Sequence, residues 1–173
     1  MTDSDSLITV SENGRVLTYS IDFLTAYHGF GYPGGVAHAF KVMERALPLL
    51  DSNGPPERRD IHIATPFKGP GGRDAFEMVT RCVTDGRFIV DPTLMKPERG
   101  EVLKGYVFYL TYRGRTLCLQ IRDGHVREEF ILLGRKPSRT PQEEDRLAYL
   151  KQEMADRLRA TPAAEVYEVT EMT

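Results

Sequence analysis

The chain has 173 residues, 40% apolar and 28% charged, with a formal net charge of −2. That length suits one domain with at most a short appendage, and the composition is that of an ordinary soluble globular protein. The near-neutral balance excludes nucleic acid as the main partner, no apolar run nears the ~18 residues of a membrane span, and two cysteines without C-x-x-C spacing exclude a disulfide framework.

The chain opens with Met1-Thr2-Asp3-Ser4-Asp5-Ser6, acidic and polar and so unlike a signal peptide, which predicts a cytoplasmic protein. Segments 7–10 and 15–18 flank Glu12-Asn13-Gly14, a hairpin turn signal. Ser20 is placed to cap a short helix running to about Tyr27. The loop Tyr27-His28-Gly29-Phe30-Gly31-Tyr32-Pro33-Gly34-Gly35 follows, too rich in Gly, Pro and aromatics to read as a linker. Val36, Phe40, Met43, Leu47 and Leu50 then form one apolar stripe, which predicts a helix over 35–50.

Alternation of Ile61 and Ile63 with His62 and Ala64 predicts a half-buried strand over 60–65. A second Gly/Pro loop, 66–72, leads to a predicted helix over 73–83 with Ala75, Met78, Val79 and Cys82 on one face. Residues 88–90 read as a short strand. Segments 106–112 and 115–121 read as a hairpin joined at Arg113-Gly114, with Leu117, Leu119 and Ile121 on one face and Cys118 on the other. Residues 134–139 read as a linker between a core domain, 1–134, and a C-terminal segment, 140–173. Thr140-Pro141-Gln142-Glu143 is a helix start, and Leu147, Leu150, Met154 and Leu158 give that helix a narrow apolar seam. Thr161-Pro162 ends it, and 166–169 can form a terminal strand.

His28 stands out chemically, because an imidazole on a constrained loop beside a helix start can bind a metal, act as acid or base, or simply fix the turn. Tyr32 offers a phenol to a pocket, or packs on the core. Lys68-Gly69-Pro70-Gly71-Gly72-Arg73 resembles an anion cradle at a helix start but lacks the G-K-[ST] ending of a phosphate loop. Asp74 falls in the first turn of the predicted helix, where the dipole alone favours an acid. Cys82 reads as a small core residue, and His38, His62 and His125 have no spacing that implies a shared site.

The order of these motifs resembles the family named for the E-type component of formylmethanofuran dehydrogenase. Its His-Gly-His-x-Cys-Pro-Gly loop corresponds to His28-Gly29-Phe30-Gly31-Tyr32-Pro33-Gly34, and its Cys-x-x-Asp-Ala motif to Gly71-Gly72-Arg73-Asp74-Ala75, followed by Cys82 and Gly86. The resemblance runs over about residues 21–169. It implies an α+β fold with a helix, strand, helix and three-strand core and a mixed sheet, like the catalytic domain of glyceraldehyde phosphate dehydrogenase, plus the C-terminal helix. Relatives in that family look like metal binders, whereas here Phe30, Tyr32 and Gly71 stand where they carry a histidine and two cysteines, leaving only His28 and Cys82. Structural zinc generally takes four protein ligands and catalytic zinc three.

Three readings follow from the resemblance. The first is a divergent member acting on or binding a small anionic molecule, with His28, Tyr32 and Asp74 as catalytic groups, Tyr27, Phe30, Lys68 and Arg73 binding substrate, and no cofactor. The second is a zinc or iron protein using His28, Cys82 and oxygen ligands. The third is a non-catalytic accessory protein of a larger complex. In the third the 28-loop merely packs and the 140–160 seam docks on a partner. The 28-loop and 68–74 are expected to lie together and line one pocket, and helix 140–160 to contribute to a homodimer interface, the alternative being that its seam packs on its own core.

Overall fold

Asn13 and Gly14 both take positive φ, 51° and 79°, the backbone of a two-residue turn whose twist matches that of its strands. Around it β1 (Leu7–Glu12) pairs antiparallel with β2 (Arg15–Ser20) in the computed structural model, which describes residues 6–172. The acidic start at residues 1–5, read above as unlike a signal peptide, lies outside the described residues. Ser20 caps α1 (Ile21–His28), its Oγ accepting the Phe23 amide at 3.3 Å. Gly29, at φ 88°, stops that helix and donates its own amide to the Thr25 carbonyl.

The next helix, α2 (Pro33–Leu50), starts two residues before the predicted one, because proline suits a first position whose amide would lack a partner. Its expected stripe is buried, and so are Ala37, Ala39, Val42 and Ala46 on its other sides. Those small side chains let neighbours close in all round. The helix therefore runs through the middle of the core rather than along its surface.

Strands β3 (Ile61–Thr65), β4 (Phe88–Val90), β5 (Val107–Tyr112), β6 (Arg115–Ile121) and β7 (Tyr167–Met172) form one sheet in the order β4-β3-β5-β6-β7. The β3–β4 pair is parallel and the rest antiparallel. A parallel neighbour needs a crossover, and α3 (Pro70–Thr80) supplies it. The chain is thus α+β with a mixed sheet, and α2, β3, α3, β4, β5 and β6 follow the expected helix, strand, helix and three-strand order. Ile63, Leu110 and Leu117 stand opposite one another in register and are buried, as are Phe108 and Leu119. Cys118 lies on the other face opposite Tyr109, and it too is buried.

Further boundaries differ from expectation. Helix α3 begins at Pro70 and ends at Thr80, not 73–83, because Arg81 turns left-handed at φ 60° and the Glu77 carboxylate takes the amides of Val83 and Thr84. Short turns and α4 (Gly100–Leu103) fill the path to β5. The expected linker 134–139 is instead the end of α5 (Glu128–Arg135) and a tied connection, in which Arg139 donates to the Leu133 and Lys136 carbonyls and pairs with Glu144 at 2.9 Å.

Thr140 opens α6 (Pro141–Ala160) with a complete capping box to Glu143. Its seam is closed inside the chain: Leu147, Leu150, Met154 and Leu158 are all buried, and a methyl group on Gly34 of α2 would meet the Met154 side chain. The seam is therefore a core contact, which removes the surface on which a homodimer through 140–160 was expected. One further turn, α7 (Ala163–Val166), precedes β7, which extends the sheet beside β6.

Candidate functional site

The two Gly/Pro segments meet because glycine lets their helix starts touch through backbone. A Cβ on Gly71 would come within 2.3 Å of the Tyr32 carbonyl, and one on Gly35 within 3.0 Å of the Gly72 amide nitrogen. The space above the start of α3 is thus filled by the start of α2. Gly71 and Gly72 of the 68–73 segment thus serve helix packing.

That approach sets His28, the last residue of α1, against α3. Its Nδ1 lies 2.7 Å from Asp74 Oδ2; a carboxylate accepts, so the imidazole N–H donates. The His28 side chain is only 7% exposed, and its Nε2 is buried with no hydrogen-bond partner. With α3 starting at Pro70, Asp74 is in the second turn, so the dipole explanation for an acid there loses its place. Tyr32 lies beside this pair, its ring centre 5.9 Å from that of His28, and is 46% exposed. All three residues expected as catalytic are therefore neighbours.

Tyr32 also lines a cavity of about 140 Å³. Tyr32, Gly34 and Gly35 line it from the first segment and Phe67 and Gly69 from the second, with His38, Tyr106, Phe130, Lys151 and Met154 completing the wall. Both segments contribute to this cavity, but of 68–74 only Gly69 does, and neither His28 nor Asp74 lines it. His38 is fully buried, its Nδ1 2.8 Å from Tyr167 Oη. Burial, with lesser help from His125 and Arg157, lowers its pKa to about 3, so the ring is neutral. Burial likewise holds the Tyr106 phenol above its ordinary range and lowers the pKa of the Lys151 ammonium.

The expected substrate-binding residues fall outside this cavity. Tyr27 and Phe30 are exposed by 54% and 89%, and Lys68 and Arg73 are exposed without an ion pair among the described residues. Lys151 is the cation that the cavity actually holds. Cys82 lies past the far end of α3, which closes at Thr80, about 9 Å of helix rise beyond the Asp74 that holds His28. Burial raises its thiol pKa to about 11, which keeps it protonated and a poor ligand. Among the described residues no three His, Cys, Asp or Glu side chains cluster as a metal site.

His38, Tyr106, Phe130 and Lys151 are not singled out by sequence reasoning. The one available signal is a histidine inside the apolar run Val36–Phe40, where no surface periodicity accounts for it. No protein-family model matches the chain, and no curated protein matches it.

Proposed function

We propose that the chain is a divergent member of the family of formylmethanofuran dehydrogenase E-type proteins that binds, and acts on, a small anionic molecule beside His28. One observation carries this reading: His28 has one ring nitrogen held by Asp74 and the other buried without a partner. A carboxylate on Nδ1 fixes the tautomer and leaves Nε2 with a lone pair to take a proton, the division of labour found in His–Asp pairs that act as general bases. The neighbouring Tyr32 phenol is a second proton-bearing group. Exposed Lys68 and Arg73, free of carboxylate partners among the described residues, supply the attraction for an anion. The element order agrees with the fold that the resemblance implies. The metal reading finds less support, since Cys82 lies past the far end of α3 from the Asp74 that holds His28.

The test is ring-nitrogen NMR of the protein titrated with oxalate, pyruvate and inorganic phosphate in turn. At least one of these is expected to shift the His28 signals, with the response weakened in Arg73→Ala and abolished in Asp74→Asn. If none moves those signals at millimolar concentration, the reading is wrong.

A further inference from the structure

His38 and Lys151 give the cavity beside Tyr32 two polar ends. The deep end is the His38 ring, fully buried, with Nδ1 engaged by Tyr167 and Nε2 buried and unpartnered. Buried polar atoms in folded proteins nearly always have a partner, so an orphan on a residue that lines a cavity points to a missing one. The outer end is Lys151. Its ammonium sits 4.4 Å over the Tyr32 ring and touches only the Gly31 carbonyl, at 3.5 Å, with no carboxylate within 4.0 Å among the described residues.

Between these ends the wall is aromatic. The His38 ring centre lies 4.8 Å from that of Tyr106, and Phe67 stands 5.4 Å from Tyr106, with Phe130 also lining the space. The volume, about 140 Å³, is that of cavities that take one six-membered aromatic ring. A flat apolar body is thus called for, with an anion at one end and a hydrogen-bonding atom at the other.

The geometry points to a binding site for a small hydroxylated aromatic carboxylate: the ring between Phe67, Tyr106 and Phe130, the carboxylate at Lys151, and the hydroxyl on His38 Nε2. The site uses neither His28 nor Asp74, so it stands or falls separately from their proposed acid–base role. A neutral imidazole can accept from the hydroxyl or donate to it, according to which way the Tyr167 hydroxyl points.

Calorimetric titration of the full chain with 4-hydroxybenzoate, 3-hydroxybenzoate, benzoate and phenol tests this. At least one hydroxybenzoate should bind about tenfold more tightly than benzoate, and Lys151→Met should weaken that binding about tenfold or more while sparing phenol. Lys151 is partly exposed, so its replacement leaves the core intact. The His38 contact is read without mutation, from movement of the His38 ring-nitrogen signals on adding the hydroxybenzoate. Absence of binding at millimolar concentration overturns the proposal. So does equal affinity for benzoate with unmoved His38 signals, and so does a Lys151→Met variant that binds as well as the parent.

Discussion

Replacing His38 with glutamine should remove a large part of the acid sensitivity of the fold. Glutamine can still bond the Tyr167 hydroxyl but cannot take a proton. In the folded chain burial lowers the His38 pKa from 6.5 to about 3. The unfolded chain therefore takes up this proton first as pH falls, so the contribution to stability is complete above pH 6.5 and declines below it. Each pH unit inside that window is worth about 1.4 kcal/mol, which sums to about 2 kcal/mol between pH 7 and pH 5. Glu153, held down to about 2 by Arg127 and Arg157, also loses stability on acidification, but between its ordinary 4.5 and about 2, below this interval. It is also present in both proteins and cancels in the comparison. Urea unfolding followed by circular dichroism at pH 7, 6 and 5 measures the difference. The parent should lose about 2 kcal/mol more than His38→Gln over that interval. Parallel pH dependences would show that the buried imidazole takes its proton without unfolding, and the linkage argument would be wrong.

The glycines at the helix starts give a contrasting pair: Gly71→Ala should cost about 3 kcal/mol or prevent folding, since its methyl meets the Tyr32 carbonyl, whereas Gly134→Ala in α5 has open space and should stabilise by up to about 1 kcal/mol in thermal melts. Arg87 is buried and donates to the Ile61, Arg58 and Thr80 carbonyls as well as to Asp85. Arg87→Leu leaves those acceptors unpaired and should cost about 3 kcal/mol in chemical denaturation, with no gain from its added apolar surface. Elemental analysis of the purified protein should find far less than about one zinc or iron per chain, because Cys82 lies past the far end of α3 from the Asp74 that holds His28. About one metal per chain, lost on His28→Ala, would instead favour the metal-protein reading.

What is legible in the sequence, and what is hidden there, divides along the range of the forces involved. The Asn13-Gly14 and Arg113-Gly114 turns, the Ser20 cap and the Thr140–Glu143 capping box are local, set by φ preferences and by amides a few residues away, and each appears where the residues place it. Helix α5 is hidden because Phe130, Ile131, Leu132 and Leu133 run together without helical period; what holds the segment is its packing against α6 and the core. The seam of α6 is visible as a seam, yet nothing in its spacing says whether it meets another molecule or α2. The same division governs the site. His28 and Asp74, 46 positions apart, can be paired only through a family likeness, since no local rule joins them. Lys151 is further still, 120 positions from the Gly31 carbonyl it touches. In sequence it is one more charge on a highly charged helix. It becomes a candidate ligand-binding group only because the buried Leu150 and Met154 beside it draw α6 against α2 and so carry its ammonium over Tyr32. The packing that closes the supposed docking seam is the same packing that brings a cation to the mouth of the His38 cavity.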